Sequence, residues 1–374
     1  MTGQRTLTGK IGEWFQSARL CLRATSLFSK NYFPTLIQTI RLCDREGFRP
    51  DEAYQFGLFQ PELSQEILGK YFSKKGMTRL QSLLNPKSWI YVTEDKGIFY
   101  RFAGAWGIPI PRLYALYYRK SPGWALPNIV LSDKKAWTRY LEEHVPGDFV
   151  MKPCRGVYGR NVRIFIKSTE GFQGPFGEKY TSGGIYDLMA KDPVYDRYVI
   201  QERLVNHPEI VHFTGTPYLQ TVRISTLMDE NDKCHILHSS FRMVMGDQVI
   251  DNFSTGRSGN LLSGVVMDKG ILRQAITTDE KGMIAREVWI HPRTGARIER
   301  FRLPSWEACL RLVRESAPKF LPIRTLGWDV GLTPQGPVIV EANMFWDPPN
   351  QSRCGRVLLN KAKETWNLPG DDQG

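Results

Sequence analysis

Asp329, Glu341 and Asn343 are the residues whose type and spacing speak most directly of chemistry. The stretch Leu326-Gly-Trp-Asp-Val-Gly-Leu-Thr-Pro-Gln-Gly-Pro-Val-Ile-Val-Glu-Ala-Asn343 reads as two short strands around a Thr-Pro-Gln-Gly turn. Successive strand side chains point to opposite faces. Asp329, Glu341 and Asn343 share one parity, and Val330, Leu332, Val338 and Val340 share the other. One face is therefore expected to be aliphatic, and the other to carry two carboxylates and an amide. Paired across a hairpin, Asp329 and Glu341 would have Cβ atoms within about 5 to 8 Å. Two carboxylates that close repel unless a cation satisfies them, and an all-oxygen set suits Mg²⁺. From this segment alone, a solvated hairpin with ordinary surface acids is an equal alternative.

A second candidate is Phe149-Val-Met-Lys-Pro-Cys-Arg-Gly-Val-Tyr-Gly-Arg-Asn-Val-Arg-Ile164, a strand ending in Lys152, a loop with Gly156 and Gly159, and a second strand. Glycines let backbone N–H groups approach oxyanions, and a lysine at a strand end supplies a point charge for phosphate. Neither GxxxxGK followed by Ser or Thr nor GxGxxG is present, and an ordinary basic hairpin explains the segment equally well. Val199-Ile-Gln-Glu-Arg-Leu-Val205 turns abruptly from apolar to polar, as a sheet edge pairing with a purine ring would.

The elements that must position these residues follow from the apolar pattern. Residues 1–85 read as helices broken at Asn31–Pro34, Gly47–Pro50 and Gly57–Pro61, closed by Asn85-Pro86. Then come a helix over Ile98–Trp106, a strand over Leu113–Tyr118, a loop over Gly123–Pro127, and a helix over Ser132–His144 with Ser132 able to cap it. Strands are expected at Phe149–Lys152, Val162–Ile166, Val199–Leu204, Gln220–Met228, Cys234–Val244 and Leu261–Met267, with helices from Ile185 and over Trp306–Ala317. The segment from Thr169 to Gly184 fits no pattern. Helices followed by mixed elements indicate an α+β or mixed-sheet α/β class, of which α+β is the expectation.

With 374 residues the chain can bury a substantial core. A net charge of +12 favours anionic partners, whether nucleotides, acidic saccharides, lipid head groups or nucleic acid. Part of the excess lies in residues 1–50, where Arg5, Lys10, Arg19, Arg23, Lys30, Arg41, Arg45 and Arg49 interleave with apolar residues. Such a segment packs on the body as a helix or lies on a membrane surface. No run approaches the ~18 apolar residues of a membrane span, and the N-terminus lacks an apolar signal core. The six cysteines show no CxxC pair, which fits a reducing, cytoplasmic setting, peripheral to the inner face of the membrane if the basic segment binds it. His235 and His238, next to Cys234, fall on opposite faces if the segment alternates as a strand, so zinc is not expected there.

Taken in order, these pieces resemble the ATP-grasp superfamily of carboxylate–amine ligases, and within it the sugar-transfer-associated group related to α-L-glutamate ligase-like proteins. The resemblance covers roughly residues 45–360. It rests on Leu84-Asn-Pro86, Asp95-Lys96 with Gly107-Ile-Pro-Ile-Pro111, Lys152-Pro153 with its glycine loop, Gln201-Glu-Arg-Leu204, Thr221-Val-Arg-Ile224, Asp251-Asn252, and Gly327-Trp-Asp329 with Glu341-Ala-Asn343. It implies two α+β subdomains clasping ATP, preceded by a helical region. The divisions expected are a basic helical region over 1–85, a linker subdomain over 86–148, a lid subdomain over 149–205, and a C-terminal subdomain with the metal site over 206–374.

The same resemblance implies residue roles. Lys96 and Lys152 would bind ATP phosphates, with loop 154–161, including Gly156 and Gly159, closing over them. The backbone of Glu202 and Leu204 and the side chain of Gln201 would meet adenine. Asp329, Glu341 and Asn343 would hold Mg²⁺. Arg223 would sit near the γ-phosphate and acyl group, with Arg242, Asn252 and Arg257 as neighbours, and Glu209 is the candidate for the ribose hydroxyls. The implied reaction joins a small-molecule or saccharide-linked carboxylate to an amine through an acylphosphate, in polysaccharide or peptide-like metabolite assembly. Two departures stand out: the loop after Asn252 lacks a Gly-Gly pair, and Arg155 and Arg160 make the lid basic. A kinase of the same fold and a non-catalytic binder of nucleic acid or membrane are the alternatives, with nucleic acid not the expected partner.

Overall fold

The computed structural model describes residues 7–28, 31–60, 62–69, 71–156, 159–247, 249–278, 285–347 and 354–366. Arg5, Lys30, Val157 and Tyr158, named above in the N-terminal segment and the glycine loop, lie outside the described residues.

Five helices come first: α1 (Leu7–Phe28), α2 (Tyr32–Arg45), α3 (Pro50–Gln55), α4 (Gln65–Leu68) and α5 (Lys74–Leu84). They meet the expectation of a helical N-terminal region. Pro50 opens α3 at a position where a missing N–H costs nothing, and the Glu52 carboxylate accepts from the Arg49 amide. Ser73 caps α5 by accepting from the Gly76 amide. Two short helices follow, α6 (Ile90–Glu94) and α7 (Lys96–Ala105).

The first sheet takes strands β1 (Leu113–Tyr118), β2 (Gly123–Ala125), β3 (Ile129–Leu131), β4 (Phe149–Pro153), β5 (Arg163–Ser168), β6 (Gly171–Gln173), β7 (Lys179–Tyr180) and β8 (Arg197–Glu202). Its antiparallel order is β3-β2-β1-β8-β4-β5-β6-β7, so segments 86–148 and 149–205 share one sheet. Helices α8 (Lys134–Glu143) and α9 (Ser182–Ala190) cover it over a core that includes Trp137, Phe149, Phe165 and Ile185. After α10 (Pro208–Thr214), the second sheet is built from β9 (Thr221–Met228), β10 (Cys234–Met243), β11 (Leu261–Val266), β12 (Ile271–Thr278), β13 (Ala285–Val288), β14 (Thr325–Thr333) and β15 (Gly336–Asn343), in the order β13-β12-β11-β10-β9-β14-β15. Helix α11 (Trp306–Ser316) and α7 bury one of its faces in the main core. On the other side α5 and α12 (Cys354–Trp366) pack through Met77, Leu80, Leu84, Leu358 and Ala362 against Leu227 and Trp346.

Several expectations are corrected. Gly123–Ala125 is a strand rather than a loop. The cap of α8 is Asp133, whose carboxylate accepts from the Ala136 amide, not Ser132. Val199–Leu204 is no edge, because β8 lies between β1 and β4 and its pairing ends at Glu202. The unplaced segment after Thr169 supplies β6, β7 and the start of α9, and β12 and β13 were not anticipated. A bulge in β10 sets His235 opposite Leu227 and His238 opposite Ser225, so the two histidines share a face instead of alternating. In the hairpin a second bulge, after Asp329, pairs Val330 with Ile339, so Ile339 is buried in β15 in place of Val338 and Val340, while Ala342, opposite Trp328 ahead of the bulge, is buried as alternation implies.

Candidate functional site

The second sheet lays a rung of polar residues across four strands: Ser240 of β10 faces Arg223 of β9, Arg223 faces Asp329 of β14, and Asp329 faces Glu341 of β15. Asp329 and Glu341 are thus direct partners, as alternation predicts. Their charges are met by different cations. The Arg223 guanidinium grips Asp329 through two nitrogens, with Nη2 to Oδ2 at 2.9 Å, and Arg242 Nη1 lies 3.3 Å from the same carboxylate. Burial alone would raise the Asp329 pKa, but Arg223 and Arg242 outweigh it and hold it below the usual carboxylate range. Gly327 is required beside this pair: a Cβ there would lie 2.7 Å from Trp346 and 3.3 Å from an Arg223 nitrogen.

Glu341 turns to Lys96, whose Nζ lies 3.5 Å away. Lys96 is fixed because it opens α7. Asp95 caps that helix through the amides of Gly97 and Ile98, and is itself held by Arg197 at 3.1 Å. The Lys96 amide donates to the Cys154 carbonyl at 2.8 Å, and its Nζ reaches the Gly156 carbonyl at 3.4 Å, tying the helix to the glycine loop. Gly159 in that loop has φ +68°, and a Cβ there would sit 2.9 Å from Ile250, so the loop packs closely on the second sheet's connection.

Lys152, at the end of β4, is buried and donates to the Tyr100 hydroxyl at 2.8 Å. Tyr100 in turn has Gln201 Oε1 at 2.6 Å and the Val340 carbonyl at 3.0 Å. Burial, reinforced by nearby Lys96, pulls the Lys152 pKa down to about 7 against the pull of Glu341 and Asp329. Tyr100 was not foreseen, although it lies one helical turn after Lys96 and so shares its face.

One cleft of about 1040 Å³ gathers these groups. Its walls include Lys96, Lys152, Gly156, Gly159, Gln201 and Leu204 on one side, and Arg223, Arg242, Asn252 and Arg257 with Asp329, Glu341 and Asn343 on the other. Two expected residues are not among them. Glu202 donates its amide to the Arg112 carbonyl at 2.9 Å and accepts the Arg112 amide on its carboxylate at 3.2 Å. Its backbone N–H is therefore spent inside the sheet. Glu209 is exposed in the first turn of α10. Of the two loop arginines, Arg160 lines the cleft, while Arg155 stands over the Tyr91 ring and lines a smaller cavity with Glu94.

The N-terminal region contributes what the sequence did not disclose. Arg49, Asp51, Glu52 and Gln55 around α3, and Lys74, Thr78 and Gln81 of α5, line the same cleft. Asp51 is bridged by Arg49 at 3.1 Å and by Arg257 at 3.4 Å, and Lys74 pairs with Asp347 at 2.9 Å. Burial raises the Glu52 pKa to about 7, despite the amides of Lys74 and Arg49 bonded to it. The only sequence signal was the acidic pair after Pro50, which any helix start can carry.

Residues 76–366 match the family described as sugar-transfer associated ATP-grasp. The chain belongs to this family. The expected ATP-grasp fold, with helices ahead of it, is therefore the one observed. The ATP-grasp match begins within α5, so α3 and its cleft-lining residues lie before it. Among solved structures, the chain is similar to D-alanyl-alanine synthetase A from Vibrio cholerae (12% identity, 74% of this chain and 66% of that one, TM-score 0.42). It is also similar to an L-amino acid ligase from Bacillus licheniformis (9% identity, 73% and 46%, TM-score 0.38). A third is an ADP complex of N5-carboxyaminoimidazole ribonucleotide synthetase (10% identity, 80% and 59%, TM-score 0.42). The chain spans less than two thirds of the length of each of these three. No curated protein sequence matches it.

Proposed function

We propose that this chain is an ATP- and Mg²⁺-dependent ligase that joins a carboxylate to an amine, releasing ADP and phosphate. The observation that carries the reading is the convergence of two lysines from different elements, Lys96 and Lys152, with Arg223, Arg242, Asp329 and Glu341 on one cleft. Phosphoryl transfer asks little covalent help of a protein; it needs positioned cations against a spread negative charge.

The residues present fit a magnesium ion. The donor set is all oxygen, and Glu341 is engaged by Lys96 at the loose distance of 3.5 Å. Asn343 commits its amide nitrogen to the Gly327 carbonyl at 3.4 Å and keeps its oxygen as an acceptor. Asp329, Glu341 and Asn343 would hold the ion, which when bound supplies neutralisation of phosphate charge. Lys96 and Lys152 would bind phosphate oxygens beside the Gly156–Gly159 loop. The Gln201 side chain, oriented by Tyr100, and Leu204 would line the adenine end, without Glu202.

In the reaction we propose, a substrate carboxylate oxygen attacks the γ-phosphorus and the bond to ADP breaks. The amine nitrogen then attacks the acyl carbon, phosphate leaves, and the amine gives up a proton. Arg223 and Arg242, already held by Asp329, are placed to steady the transferred group, and Asn252 and Arg257 to face the acceptor. The helical region 1–85, the segments 86–148 and 149–205, and the metal-bearing 206–374 are the working parts we assign. The setting we propose is the assembly of saccharide-linked products, in keeping with the family's description, or of peptide-like ones.

The test is product analysis with carboxylate and amine libraries. The ligase reading expects ADP and free phosphate in equal amounts, only when both substrates are present. ADP with phosphate retained on one substrate would replace it with the kinase reading.

A further inference from the structure

We propose that the outward faces of α1 and α2 dock the protein on an anionic membrane surface. Each helix carries a buried face and, opposite it, exposed apolar side chains. On α1, Ser17, Leu20, Cys21 and Ala24 are buried, and at roughly 100° per residue they share one side. Phe15 (75% exposed) and Leu22 (61%) fall on the opposite side, with exposed Arg19 between them. Helix α2 repeats the arrangement: Thr35, Gln38, Thr39 and Leu42 are buried, while Phe33 (74%) and Ile37 (65%) point away, followed by exposed Arg41 one turn on.

The inner faces are already packed. Leu20, Cys21 and Ala24 pack with Tyr54 and Phe59, and with Tyr32 and Leu36 of α2. The outward residues are therefore not strays from that core. Single exposed apolar side chains are ordinary, but a pair at helical spacing, each with an arginine one turn or less away, recurs on both of these packed helices. The described cleft does not extend to it, since its walls begin at Arg49.

Charge selects the occupant. The two helices hold Lys10, Arg19, Arg23, Arg41 and Arg45 against Glu13 and Asp44. Aromatic and aliphatic residues flanked by arginines suit the boundary between acidic head groups and acyl chains. No helix among the described residues is long and apolar enough to cross a membrane, so contact would be confined to the interface. Helix α3 connects the surface to the site, with Tyr54 packed beneath α1 and α2 while Asp51 and Gln55 line the cleft.

The experiment is co-sedimentation of the full chain with vesicles of phosphatidylcholine alone or mixed with phosphatidylglycerol. The inference expects partitioning onto the phosphatidylglycerol vesicles, at least about tenfold weaker on phosphatidylcholine, and falling with salt. The double variant Phe33→Ser/Ile37→Ser should lose about tenfold or more with its melting temperature unchanged. Arg19→Glu/Arg41→Glu, which leaves all apolar groups in place, should lose as much. Equal binding by wild type and both variants would overturn the inference, as would no pelleting with the acidic vesicles. Concentration-dependent self-association without vesicle binding, abolished by Phe33→Ser/Ile37→Ser, would replace the membrane with a second copy of the chain.

Discussion

Lys96 Nζ lies 3.5 Å from the Glu341 carboxylate, joining the start of α7 to the end of the C-terminal hairpin. These residues stand in different elements far apart in the chain, and only the folded protein brings them to one cleft. Asp329, directly across the hairpin from Glu341, is served instead by Arg223 and Arg242. Two neighbouring acids thus differ in what they can give up. Glu341 has one loosely placed partner, and Asp329 two close ones.

That difference predicts unequal costs. Asp329→Asn leaves two half-buried guanidiniums without their counter-charge, which should destabilise the fold by about 3–5 kcal/mol. Glu341→Gln, more exposed and less tightly paired though its Lys96 partner is buried, should cost less, about 1–2 kcal/mol. Urea denaturation of both variants measures this, and equal losses would contradict the assignment of partners.

Asn85 ties the helical region to the hairpin. Its amide nitrogen donates to the carbonyls of Thr325 (3.0 Å) and Met344 (2.9 Å), and its oxygen accepts the amides of Arg324 and Thr325 at 2.9 Å. Asn85→Ala strands these backbone groups in the interior and should cost about 2–4 kcal/mol, read as a lower denaturation midpoint. A change below about 1 kcal/mol would show the contacts to be replaceable.

Lys152 gives a pH signature. Its pKa falls from 10.5 to about 7 on folding. Between those values the unfolded chain holds a proton that the ligand-free fold does not, so this group makes the fold more stable as pH rises through that window. Triphosphate beside Lys152 would favour the charged form. ATP binding at pH ~8 should therefore take up as much as one proton, seen as calorimetric heats that vary with buffer ionisation enthalpy. Lys152→Met should abolish the uptake; proton uptake unchanged in that variant would assign it to another group.

Much of this was legible in the sequence, for reasons that particular residues make clear. Alternation placed Asp329 opposite Glu341 because β14 is regular up to that point. It failed beyond, where one extra residue in β15 put Ile339 into the core in place of Val338 and Val340. Lys152 and its glycines were readable because an apolar strand ends abruptly there. The pairing of the Glu202 N–H with Arg112 was hidden, because polarity at a strand's end does not say whether an N–H is already paired. The contribution of Asp51 and Arg49 was hidden, since an acidic first turn after proline looks the same whether it faces solvent or a cleft. Tyr100 was invisible for a related reason: a tyrosine on an apolar helix face reads as core until its hydroxyl is seen between Lys152 and Gln201.

Calorimetric titration of ATP, with and without Mg²⁺, into the wild-type chain and Glu341→Gln tests whether a metal at Glu341 carries nucleotide binding. Measurable ATP affinity is expected in the wild type only with Mg²⁺, with at least about a tenfold loss of that Mg²⁺ dependence in the variant. Equal ATP affinity with and without the metal in both proteins would contradict it.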